Sequence, residues 1–149
     1  MTALTEREQL RANIKRQLNS YRELRAEMVQ LQDELLRLEM LMSSPSGPNL
    51  DGMPRSPGFG NPVERMVTKH IDLEERYIAQ IDDLVKRQTE IEKMIESLEP
   101  TERRLARFRY IDGLTWETVC DKMCYSWKQT HRIHSRMLDK LAELAERSE

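Results

Sequence analysis

Hydrophobic positions recur along the first forty residues in alternating steps of four and three. Leu10, Ile14, Gln17, Tyr21, Leu24, Met28, Leu31, Leu35, Leu38 and Met42 keep this rhythm without a slip. Such a repeat predicts a long helix whose seam is buried against another helix, as in a coiled coil. Leu18, Leu36 and Leu41 lie beside the seam and widen the apolar stripe. Thr5-Glu-Arg-Glu8 has the spacing of a capping box and marks the expected start of the helix. A second seam runs from Met66 through His70, Leu73, Tyr77, Ile81, Leu84, Gln88, Ile91 and Ile95 to Leu98, with one extra step of four around Tyr77. Gln17 and Gln88 interrupt the two seams with polar groups, which suits a role in fixing register. At 1.5 Å per residue each helix should be about 50–55 Å long, and the matched lengths suggest antiparallel packing within one chain or pairing across a dimer.

Between the seams the pattern breaks. Five of the six prolines and four of the five glycines fall between Pro45 and Pro62, which predicts a flexible linker, with Asn61 capping the second helix and Pro62 in its first turn. After Glu99-Pro100 the period shortens into small helices. Leu105, Phe108 and Ile111 form the expected inner face of the first, and Gly113 its C-terminal stop. Thr115 suits the cap of a helix from Trp116 to about Met123, with Val119 and Cys120 facing a core. A tight break follows at Cys124-Tyr125, and Ser126 suits the cap of the next helix. On that last helix Thr130, Ile133, Met137 and Leu141 share a narrow arc while Lys128, Arg132, Ser135 and Arg136 point away. Two short helices joined by a tight turn, the second with one apolar and one cationic face, follow the helix-turn-helix plan. The expected architecture is therefore all-α: an N-terminal coiled-coil helix (1–42), a Gly/Pro-rich linker (43–61), a second long helix (62–99) and a helix-turn-helix domain (100–149).

Composition sharpens this picture. Charged residues make up 34 % of the chain and aromatic residues 5 %, which favours long solvated helices over a thick globular core. The net charge of −2 hides an asymmetry. Residues 1–100 carry 14 Lys and Arg against 18 Asp and Glu, whereas residues 101–136 carry 8 against 4. The cationic surplus thus coincides with the helix-turn-helix, as phosphate neutralisation requires. No apolar run approaches the roughly 20 residues needed to span a bilayer, and no signal-peptide pattern opens the chain. A cytoplasmic protein with no membrane partner is expected.

Other chemistry fares less well. Cys120, Cys124, His131 and His134 are spaced C-x3-C-x6-H-x2-H, whereas finger sites separate their pairs by about 12 residues, so no zinc site is expected. Two cysteines do not make a disulfide framework. The Gly58-Phe-Gly60 doublet follows no strand and does not read as a phosphate cradle. Carboxylates alternate with Lys and Arg, as on a solvated helix face. No nucleophile with its base can be assembled. Neither an enzyme, nor a cofactor, nor a small-molecule substrate is expected.

The segments Arg109-Tyr-Ile-Asp-Gly-Leu-Thr-Trp-Glu117, Cys124-Tyr-Ser126 and Arg132-Ile-His-Ser-Arg-Met-Leu-Asp-Lys-Leu141 resemble the fourth region of bacterial sigma factors. They are still more similar to phage late-gene transcriptional regulators of the RinA and ArpU type, whose likeness extends to the coiled coil and the Gly/Pro-rich middle. Carried over residue by residue, the resemblance implies base-edge contacts from Lys128, Gln129, His131, Arg132, Ser135 and Arg136, types that suit guanine and adenine edges. The helix starts at Thr115 and Ser126, with Lys122, are the implied phosphate contacts. Trp127, at the edge of the inner arc, suits packing and contact with a sugar-phosphate strand equally, whereas Trp116 suits packing. Two departures stand out: Cys120 replaces the usual Ala and should fit, but Cys124 replaces the usual turn Gly and leaves room for a differently shaped turn.

The resemblance and these features together imply a phage or prophage transcriptional regulator that binds double-stranded DNA, with a coiled coil that either assembles a homo-oligomer, a dimer foremost, or docks on host RNA polymerase. A DNA-packaging subunit similar to small terminase subunits, or a scaffold whose helix-turn-helix binds protein only, are the alternatives.

Overall fold

The computed structural model describes Thr2–Ser43 and Pro62–Ser148, and all of the ordered structure among these residues is helical. Two helices are long: α1 spans Thr2–Ser43 and α2 spans Pro62–Glu96. Three short elements follow. These are α3, Pro100–Ala106, which runs on as a π-helical turn over Arg107–Ile111, then α4, Trp116–Met123, and α5, Trp127–Ser148. The expected linker, with Asn61, lies outside the described residues.

α1 begins upstream of the expected start. Its helix already includes Thr2, so Thr5-Glu-Arg-Glu8 is interior sequence rather than a cap. With 42 residues it is about 63 Å long, against about 52 Å for the 35 residues of α2, so the two are not matched.

The chain divides into two compact units, Met1–Arg25 with Arg87–Glu149, and Ala26–Lys86. In the second unit the seam positions Met28, Leu31, Leu35, Leu38, Leu73, Tyr77 and Ile81 are half-buried, while Leu36, Met40, Ile71 and Ile78 are exposed. The first unit holds the thicker core. Ile14, Leu18, Tyr21 and Leu24 of α1 are buried there, as are Ile91, Ile95 and Leu98 around the end of α2. The inner line of α1 thus passes through Leu18, fully buried, and leaves Gln17 exposed. Exchanging an amide for a neighbouring leucine avoids desolvating a polar group without a partner. Gln88 does reach across, donating from Nε2 to the Tyr21 hydroxyl at 2.9 Å, and that hydroxyl donates to Glu92 at 2.8 Å.

Side chains from α3 and the turn that follows it bond to the end of α2 and to the residues just after it. Arg103 donates to the Leu98 carbonyl at 3.0 Å, and Arg107 pairs with Glu96. The π-helical turn then alters which residues face inward. Asp112 N–H donates to the Arg107 carbonyl five residues back at 2.8 Å, so the turn is wider than an α-helical one. Leu105 is buried as expected, with Ala106 beside it, but after the turn Tyr110 is buried while Phe108 and Ile111 are only partly covered, which corrects the inner face expected there from an α-helical period.

Gly113 closes this segment at φ +69°, and a Cβ there would meet the guanidinium end of Arg22 of α1. That flexible end can move aside, so the left-handed backbone is the constraint that calls for glycine. Gly113→Ala should lower stability by about 1–2 kcal/mol in urea unfolding. In an Arg22→Ala background the cost should be nearly the same, because the guanidinium can move aside, and a double-mutant cycle measures that absence of coupling.

Candidate nucleic-acid interface

α4 and α5 are each started by the residue expected to start them. Thr115 Oγ1 accepts from the Thr118 amide at 3.3 Å, and Ser126 Oγ accepts from the Gln129 amide at 3.1 Å. Between the helices the Tyr125 amide donates to the Cys120 carbonyl at 3.2 Å and the Cys124 amide to the Asp121 carbonyl at 3.3 Å. This pair of bonds is the Schellman arrangement, which needs a left-handed residue. Cys124 supplies it at φ 59°, ψ 37°. The turn therefore has the shape glycine would give, and the thiol-bearing residue carries the backbone strain.

α5 buries Thr130, Ile133, His134, Met137, Leu138, Leu141 and Ala142. With that face held against α3 and α4, Lys128, Gln129, Arg132 and Arg136 are all exposed on the opposite side. These four form an open face along the first half of the helix. Thr115, Lys122, Ser126 and Trp127 are exposed as well, and the Lys122 ammonium lies 5.7 Å from the centre of the Phe108 ring.

Two of the residues expected at base edges are placed differently. His131 is half-buried between two indoles, its ring centre 4.5 Å from that of Trp116 and 4.5 Å from that of Trp127. Its Nε2 is buried without a hydrogen-bond partner among the described residues. His131 thus acts as a spacer that seats Trp127, whose indole remains 55 % exposed at the start of α5. Ser135 stays at the surface but is already engaged: Arg11 of α1 donates to its Oγ at 3.2 Å and also pairs with Asp139 one turn on.

Sequence reasoning missed the polar core beneath this face. The Tyr110 hydroxyl and His134 Nε2 share a buried hydrogen bond of 2.5 Å. Arg109 lies over the Trp116 ring at 4.8 Å and donates to the Leu114 carbonyl at 2.9 Å. On the far side of α5, Lys140 pairs with the buried Glu102 at 2.9 Å and with Glu99 at 3.3 Å, tying the start of α3 to the last helix. The bond to Glu102 holds the Lys140 ammonium above its ordinary pKa. A helical wheel of α5 alone places His134 inward, but nothing in the sequence announces Tyr110 as its partner, because the π-helical turn sets that register.

Burial holds the His134 imidazole down to about 4, with the fields of Lys15, His131, Arg109 and Arg11 acting in the same direction, and burial pushes Tyr110 up to about 12. The sign follows from linkage. Below about 6.5 the unfolded chain protonates this histidine while the folded chain does not, so stability falls as pH drops from about 6.5 towards 4. The loss attributable to His134 is on the order of 3 kcal/mol across that window. His134→Gln should flatten this part of the stability profile, and an assigned His134 imidazole titrating near 6.5 in the NMR spectrum of the folded protein would contradict it. For the turn, Cys124→Gly should raise stability by about 0.5–1 kcal/mol, read as an upward shift of a few degrees in Tm.

Among the described residues no helix is long and apolar enough to cross a membrane. No curated protein and no solved structure matches the chain. Residues 61–142, more than half of its length, match a family described as "Protein of unknown function (DUF1492)", and the chain belongs to that family.

Proposed function

We propose that this protein is a sequence-specific DNA-binding transcriptional regulator of the phage and prophage RinA/ArpU type, working as a homo-oligomer. The observation that carries the reading is the open face of Lys128, Gln129, Arg132 and Arg136 on the first half of a capped helix that follows a tight turn. A reading helix enters the major groove with its N-terminal residues towards the base edges. Arg132 and Arg136 suit the O6 and N7 atoms of guanine, and Gln129 suits adenine. Thr115, Ser126, Lys122 and Trp127 are exposed too and suit contact with the sugar-phosphate strands. The exposed Leu36, Met40, Ile71 and Ile78 of the second unit favour self-association, since a second copy would remove them from water.

In vitro selection from a random duplex library should enrich a discrete motif, and absence of enrichment would remove the sequence-specific reading. Against the selected duplex, Arg132→Ala should weaken binding by about 5- to 150-fold and relax preference at one or two base pairs, whereas Lys122→Ala should weaken all duplexes alike. A ring of many subunits in light scattering would favour the packaging alternative over a regulator.

A further inference from the structure

Along its outward stripe α5 changes sign. Lys128, Arg132 and Arg136 come first, and Asp139 and Glu143 follow one and two turns later. Left bare, those two carboxylates would face the same side as the cations and repel a phosphate backbone. They are not bare. Arg11 pairs with Asp139 and reaches Ser135, and Arg7 pairs with Glu143 at 2.9 Å. A step of one turn forward on α1, from Arg7 to Arg11, is thus a step of one turn back on α5, and the two helices run in opposite directions where they meet.

The next turn of α1 brings Lys15, and the next turn back along α5 is the level of His131 and Arg132, inside the open half of the face. Lys15 is exposed, and among the described residues it has no ion-pair partner. Its positive field also reaches His134 on α5. Two basic residues of α1 thus match two acidic levels of α5, and Lys15, four residues further on, follows them in register towards a level of α5 that carries no carboxylate.

We infer that α1 is a second DNA-facing element: Lys15 contacts a backbone phosphate at the edge of the groove that receives α5, while Arg11 and Arg7 neutralise Asp139 and Glu143 so that the strand can approach. This rests on the DNA-binding reading given above, and it extends the contact surface to a helix outside the helix-turn-helix. A phosphate contact adds affinity without adding sequence preference and contributes about one counterion to the salt dependence.

The test uses the full chain, a duplex recovered by selection and a scrambled duplex of the same length. Lys15→Ala should weaken binding to both by about threefold to tenfold and lower the slope of log affinity against log salt by about one, with Tm unchanged. Arg11→Ala should weaken both duplexes, and adding Asp139→Asn should restore most of the loss. If Lys15→Ala and Lys15→Glu leave affinity and slope untouched while Arg132→Ala weakens binding, α1 does not touch DNA and the helix-turn-helix reading stands. If Lys15→Ala changes the preference between the two duplexes, the contact is not to phosphate. If the unaltered protein binds neither duplex, both readings fall.

Discussion

Burial of one face of α5 is the constraint on which the rest of the C-terminal unit depends. Thr130 and Met137 are fully buried, with Ile133, Leu138, Leu141 and Ala142 close behind. Opposite them lie Leu105 and Ala106 of α3 and Val119 of α4, each at 0 % exposure. Burying a side chain of Leu or Met size contributes about 1.5–3 kcal/mol, so rotating α5 by even one residue would forfeit several such contributions at once. The rotation of the helix is thereby fixed, and with it the set of side chains that face outward. Its start is fixed separately by Ser126 and its approach by the left-handed Cys124.

Polar contacts complete what packing begins. Lys140 bridges Glu99 and Glu102, Arg103 satisfies the carbonyls after α2, and Arg7 and Arg11 of α1 hold Glu143 and Asp139. The exposed pairs each contribute little by themselves. Glu102 differs, because its carboxylate is buried and losing Lys140 would leave a buried charge unpaired. Its geometry selects one docking of α3 on α5, and α3 in turn sets the π-helical segment that carries Tyr110.

Much of this was legible from spacing. Periods of 3.5 and 3.6 placed the long helices and the inner arc of α5, and cap chemistry placed the starts at Thr115 and Ser126, because both signals are local. The failures have a common cause, which is that tertiary context outweighed local preference. Thr5-Glu-Arg-Glu8 has a capping box's spacing but the helix begins before it. Gln17 sits on the heptad line but Leu18 is the residue buried. A π-helical turn is not written in the residue pattern, so Tyr110 rather than Phe108 or Ile111 was brought inward. His131 was expected to face outward, and the two tryptophans between which it lies are eleven residues apart in sequence. The cationic levels of α1 and the matching acidic levels of α5 are each visible as four-residue spacings, yet they lie more than a hundred residues apart and only the fold brings them together.

The placement of His131 and Ser135 narrows the proposed reader. With one ring held between indoles and one hydroxyl already bonded to Arg11, the proposal leaves base-edge contact to Lys128, Gln129, Arg132 and Arg136. Four side chains on about two turns of helix can examine three or four base pairs, at about 1–3 kcal/mol of discrimination for each good bidentate pair. Three or four base pairs at that rate give about 3–12 kcal/mol, which only at its lower end falls short of the roughly 4–10 kcal/mol by which specific regulators stand clear of non-specific sites. A reader at that lower end is helped in two ways: by phosphate contacts that raise affinity without selectivity, or by presenting two copies on a duplicated site, where the second binds at high effective concentration. Only the second raises discrimination, because it doubles the number of bases examined. On this reading the exposed apolar side chains of the long helices matter to recognition as much as the reading helix does, since they would set how many readers meet the DNA.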